Sequence, residues 1–162
     1  MRRLKIQSGG QTGVDRAALD AAIELGLPCG GWCPKGRRSE SGRIPGRYPL
    51  QETESPEYPV RTRKNIESSD ATLILHAGHT DRGTRLTETI CRKMQKPYIV
   101  INIKNPESIE QAGRWLREIN IQSLNIAGPR ESFAPGIYDT AKTWILRLLT
   151  GDSGQTNKQV SD

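Results

Sequence analysis

The 162-residue chain has few of the groups from which most catalytic and metal centres are built: two histidines, three cysteines and one phenylalanine. Cys29, Cys33 and Cys91 are odd in number and follow no framework spacing, which argues against a disulfide scaffold and for buried or reduced thiols. Cys29 and Cys33 lie in LPCGGWCPKG with no second pair to complete a zinc knuckle. His76 and His79, in LHAGHTDRG, have only Asp81 nearby as a third ligand, so no metal centre is expected. Aromatic residues make up 5% of the chain, few platforms for stacking single-stranded nucleic acid. No run approaches the roughly 18 apolar residues of a membrane span. Polar Gln7 and Ser8 interrupt the basic start MRRLKIQSGG before it could act as a signal peptide. A cytoplasmic protein without a membrane partner is expected.

What remains is a globular composition, 34% hydrophobic and 26% charged, at a length suited to one domain. Five β-like runs stand out: Leu4–Gln7, Leu27–Trp32, Thr72–His76, Tyr98–Ile103 and Ser123–Ile126. TLILHA and YIVINI are almost continuously apolar, as in strands covered on both faces. Helical spacing of Val14, Ala17, Ala18, Ala21, Ala22 and Leu25 predicts a first helix closed by Gly26. Further helices are predicted over 83–95, 106–119 and 136–149. This alternation predicts an α/β fold, a Rossmann-like three-layer sandwich around a mostly parallel sheet of five or more strands. One domain over 1–150 and a flexible tail over 151–162 are expected. The segment from Pro34 to Pro59 shows no periodicity, and a loop of that length inside a domain is usually functional.

Three turns should meet at the carboxyl edge of such a sheet, where open α/β proteins bind ligands. The first is Ser8-Gly9-Gly10-Gln11-Thr12-Gly13, which reads either as an anion cradle of glycine amides or as a tight turn with a helix cap. It matches neither the dinucleotide glycine pattern nor the Gly-Lys-Ser/Thr ending of a P-loop. The second, His79 to Thr84, offers amides near Gly83 and Thr84 at a helix start, or a plain capped terminus. The third, Ala127 to Ser132, carries Arg130 and Ser132 as oxyanion donors. Where a classical NAD site wants an acid after the second strand, the chain has Pro34-Lys35-Gly36-Arg37-Arg38. Between Lys35 and Arg47 five basic residues face one acid, and net charge is +6, which points to an anionic partner or to a solvated basic loop.

The blocks SGGQTGVDRAALDAA, GGWCPKGRRSESGRIPGRYPLQET, YPVRTRKNI, RGTRLTE and AGPRESFAPGIY together resemble the molybdenum-carrier family, also classed as the circularly permuted YpsA-like branch of the SLOG superfamily. The likeness runs from about Lys5 to Leu149. It implies a SLOG domain that binds molybdenum cofactor, a phosphorylated pterin, as unaltered cargo. It also implies a homo-oligomer, dimer or tetramer, with molybdoenzymes as recipients. Molybdate, phosphate or sulfate are simpler anions for the same donors. With the loops above, the candidate binding residues are Ser8, Gly9, Gly10, Gln11, Thr12, Gly13, Lys35, Gly36, Arg37, Arg38, His79, Arg82, Gly83, Thr84, Arg130 and Ser132. No catalytic residue or metal ligand is assigned.

Two other readings stand beside the carrier. Nucleotide phosphoribohydrolases of the superfamily use a PGGxGTxxE pattern. Here HTDRGTRLTE lacks the Pro-Gly-Gly and places Thr87 at the acid position, with Glu88 one residue late. One residue is a rotation of about 100 degrees on a helix, so Glu88, the only candidate catalytic acid, should point elsewhere. The basic charge alternatively suits nucleic acid, the less favoured partner, or a signalling nucleotide.

Overall fold

The computed structural model describes residues 3–151. Its centre is a five-stranded sheet of β1 (Lys5–Gln7), β2 (Cys29–Gly30), β7 (Ala71–His76), β8 (Tyr98–Asn102) and β9 (Ser123–Ala127). The order is β2-β1-β9-β7-β8 and every pairing is parallel. Helices α1 (Val14–Glu24), α2 (Tyr58–Glu67), α3 (Arg82–Lys93), α4 (Ser108–Ile119) and α5 (Ile137–Thr150) flank it in a Rossmann-like three-layer arrangement.

The alternation of strand side chains divides the interior. Leu73, Leu75, Ile101, Leu124 and Ile126 form one cluster with the alanine face of α1 and with Ala141, Trp144 and Ile145 of α5. Small residues at 17, 18, 21 and 22 let α1 lie close to α5 and the sheet. On the other face, which α2 and α3 cover, Asn125 Nδ2 donates to Thr72 Oγ1 at 3.4 Å. The first helix ends as expected, with the Gly26 and Leu27 amides bonded to the carbonyls of Ile23 and Ala22.

Three expectations change. The run Leu27–Trp32 is not one strand: β2 stays in the main sheet, while β3 (Trp32–Cys33) pairs with β6 (Gln51–Glu52). The cause is Asn65 on α2. Its side-chain amide accepts from Trp32 N and donates to Trp32 O, both at 2.8 Å, and draws the chain away from β1.

The segment 34–59 is not structureless. It contains β6 and a hairpin of β4 (Arg38–Ser39) and β5 (Gly42–Arg43). Ile44 and Tyr48 from this segment build a second small core with Leu19 and Cys33. Asp20 on α1 holds it from outside, paired with Arg47 at 2.7 Å and hydrogen-bonded by Tyr48 and Tyr138.

The third change is α2, which apolar periodicity does not announce: among its residues only Asn65 and Ile66 are buried. Gly151, the first residue of the expected tail, caps α5 in a left-handed conformation. Residues 152–162 lie outside the described residues. No helix among the described residues is long and apolar enough to cross a membrane.

Candidate functional site

The sheet order creates the place for a ligand. From β1 the chain crosses to β2 on one side, and from β7 to β8 on the other, with β9 between. Such a reversal opens a crevice beyond the carboxyl ends of the strands. A cavity of about 380 Å³ lies there, within the ordinary range for small-molecule sites. Gly9, Gln11 and Asp15 line it from the β1–α1 turn, Asn125 to Gly128 from the end of β9, and Arg82, Gly83 and Thr84 from the start of α3. Arg130 closes one side, and α2 supplies Tyr58, Arg61, Thr62 and Asn65. The three turns singled out from the sequence therefore share one pocket.

Two carboxylates face the cavity, and protein donors engage both. Asp15, 3% exposed, accepts from Arg61 Nη1 at 2.9 Å and from the Gln11 amide at 3.2 Å. Burial pushes the Asp15 carboxyl above the usual carboxylate range, against the opposing charge of Arg61 and the hydrogen bonds it accepts. Asp81 caps α3: its Oδ1 accepts from Thr84 N at 2.8 Å and from Thr84 Oγ1. Its Oδ2 receives the Arg130 amide at 3.4 Å, which stitches the third turn to the second.

The guanidinium groups keep donors in reserve. Arg61 Nε is buried without a hydrogen-bond partner among the described residues. Arg130 pairs with Glu40 at 3.4 Å through Nε, and Arg82 makes no ion pair among the described residues. The amides of Arg82 and Gly83 open α3 and have no intrahelical acceptor by position. Tyr58 stands at the wall with the guanidinium of Arg38 4.8 Å and that of Arg61 5.8 Å from its ring centre.

Two glycines make this packing feasible. A Cβ on Gly9 would fall 1.8 Å from Arg61 Nη1, so a side chain there would displace the guanidinium. Gly13 has φ 80°, and a Cβ on it would meet the carbonyl oxygen of Pro129 at 2.4 Å. The first and third turns touch there, and Val14 N donates to that same oxygen at 3.2 Å.

Among the candidates from the sequence, Gly9, Gln11, Arg82, Gly83, Thr84 and Arg130 line the cavity, and the others do not. Ser8 is fully buried and gives its hydroxyl to Ile126 O at 2.7 Å. Gly10 faces the opposite way, toward Ile44 and Leu50. Thr12 and Ser132 both bond to Glu40.

Arg37 lies outside the cavity lining. Its guanidinium donates to the carbonyls of Ile44, Leu50, Pro45 and Tyr48 and staples the segment 34–59 together. Lys35 lies exposed, Gly36 N donates to Glu52 at 2.6 Å, and Arg38 stacks outside on Tyr58. His79 is exposed, away from the cavity. On α3 the rotation argument matches the geometry: Thr87 lines the cavity, while Glu88 turns toward Arg92 at 4.0 Å and Tyr98 Oη at 3.5 Å. Among the described residues no group of three or more His, Cys, Asp or Glu is placed to hold a metal ion.

Arg61 carries no role in the sequence reading. A signal for it exists: Tyr58, Arg61, Thr62 and Asn65 recur at i, i+3, i+4 and i+7, a helix face written in polar residues. Attention to apolar periodicity alone passes over such a stripe.

The sequence model of the Circularly permutated YpsA SLOG family matches residues 6–149. The chain is also similar to a solved structure, the crystal structure of Putative molybdenum carrier protein from Syntrophus aciditrophicus SB. Identity is 45% and TM-score 0.83, over 89% of this chain and 94% of that one. No curated protein matches the chain.

Proposed function

Because the chain belongs to the circularly permutated YpsA SLOG family, we propose that it binds a phosphorylated small molecule in this cavity and carries it unaltered, the cargo being molybdenum cofactor. The naming of its structural relative as a molybdenum carrier protein supports a molybdenum-related carrier role. One observation carries the anionic character of the cargo. Arg61 Nε is buried without an acceptor among the described residues, while both cavity carboxylates already accept from protein donors. An uncompensated buried donor is costly, about 1–3 kcal/mol, and a ligand oxygen that draws the Arg61 fork into the cavity would relieve it.

The residues fit that cargo. Arg61, Arg82 and Arg130 present planar forks suited to phosphate or other oxyanions. The Arg82 and Gly83 amides add the partial positive charge of a helix start. Among the described residues Gln11 bonds through its Oε1 alone, accepting from Thr12 N and Glu40 N, which leaves its Nε2 for the hydrogen-bonding edge of a pterin. Tyr58, Leu86 and Ile126 supply apolar wall. A carrier needs no ligand to the metal from its own side chains. Its task is to bind, orient and shield.

Native mass spectrometry of the protein as purified, and after anaerobic incubation with the cofactor, tests this reading. A retained species with the mass of a phosphorylated pterin is expected at one per chain. Unliganded mass under both conditions would refute it.

A further inference from the structure

Glu40, at the tip of the β4–β5 hairpin, reaches into a cluster of donors that no helix or strand requires. Its Oε1 accepts from Ser132 N at 3.1 Å and from Thr12 Oγ1. Its Oε2 accepts from Ser132 Oγ and faces Arg130 Nε at 3.4 Å. Four donors from the first and third turns thus converge on one carboxylate. Burial raises the pKa of Glu40, but the Ser132 and Thr12 hydrogen bonds and the Arg130 charge outweigh it and hold the carboxyl below the usual range. These donors are arranged for an anion.

The hairpin does not depend on this contact. Arg37 anchors its base on four carbonyls, Ser39 Oγ donates to Gly42 O at 2.7 Å, and Arg16 Nη2 donates to Ser39 Oγ at 2.9 Å. A change in the Glu40 side chain alone would vacate the cluster. Two carboxylate oxygens share four donors, whereas a tetrahedral oxyanion offers more acceptor oxygens and, as a dianion, a stronger attraction to Arg130. Arg130 also lines the main cavity.

We propose that Thr12, Arg130 and Ser132 form an oxyanion subsite that Glu40 fills from within, and that a tetrahedral dianion, a phosphate monoester or free inorganic phosphate, displaces it. The subsite rests on the cavity reading only through Arg130, which belongs to both.

Calorimetric titration of inorganic phosphate into the wild-type protein and Glu40→Ala tests the displacement. At least a tenfold gain in phosphate affinity is expected for Glu40→Ala, with the gain abolished in Glu40→Ala/Ser132→Ala. Should Glu40→Ala fold poorly by circular dichroism, Glu40→Gln keeps the shape, removes the charge and should still gain severalfold. Unchanged phosphate affinity in folded Glu40 variants, or a gain that survives loss of Ser132, would overturn the proposal. Repeating the titration with cofactor present separates the sources. Competition assigns the subsite to the cargo's own phosphate, and independence assigns it to a free ion. A protein that takes phosphate in this way but never the cofactor would sink the carrier reading and leave the subsite standing.

Discussion

Arg61 and Asp15, 46 positions apart in sequence, meet at 2.9 Å on the wall of the cavity, and both side chains are largely buried. The pair brings α2 against the start of α1 and sets Arg61 in the cavity lining. Breaking such a pair from one side leaves a buried charge behind, a loss of about 3–5 kcal/mol.

Arg61→Met keeps side-chain bulk and removes the charge. Asp15, already raised by burial, rises further without its partner. A carboxyl whose folded pKa lies above its unfolded value favours the fold below the unfolded pKa, near 3.9, and loses that contribution as pH rises through the folded value. Urea titrations should therefore show Arg61→Met most destabilised at neutral pH and closer to wild type near pH 4. Adding Asp15→Asn should recover part of the neutral-pH loss. A pH-independent deficit would contradict this.

Gly9→Ala separates binding from folding. The new methyl group conflicts with Arg61 Nη1, the end of a flexible side chain, rather than with backbone. The fold should survive with a smaller stability loss than Arg61→Met, while cofactor affinity falls by at least tenfold. Thermal unfolding and a binding titration on the same preparation check both halves.

Arg37→Ala should behave in the opposite way. Removing a fork that serves four carbonyls should cost at least about 2 kcal/mol of stability. Arg37→Lys should not rescue it, since an ammonium lacks the planar five-donor geometry. Cofactor affinity, measured where the variant is folded, should fall much less than in Arg61→Met.

The sheet was legible because β7, buried along nearly its whole length, and its half-buried edge neighbour β8 write their cover as apolar runs. The alanine face of α1 was legible for a related reason, since close helix packing demands small residues at regular spacing. Elements held by polar contacts were not. Asn65 decides where β2 ends and β3 begins through two side-chain hydrogen bonds, and no pattern in residues 27–33 announces a partner more than thirty positions away. Composition shows the charge of Arg37 and not the four carbonyls that its guanidinium faces. At the site, the glycine turn and the Arg82–Thr84 helix start were readable as local motifs. Arg61 needed the knowledge that α2 folds over the carboxyl edge of the sheet.

The most direct test is anaerobic calorimetry of molybdenum cofactor binding to the wild-type chain and to Arg61→Met, at a pH where both are folded. One site per chain in the wild type and at least a tenfold weaker site in the variant is the expected result, a difference of about 1.4 kcal/mol or more. No binding to the wild type, or equal affinity in the two proteins, would contradict the assignment of this cavity and its buried guanidinium to an anionic cargo.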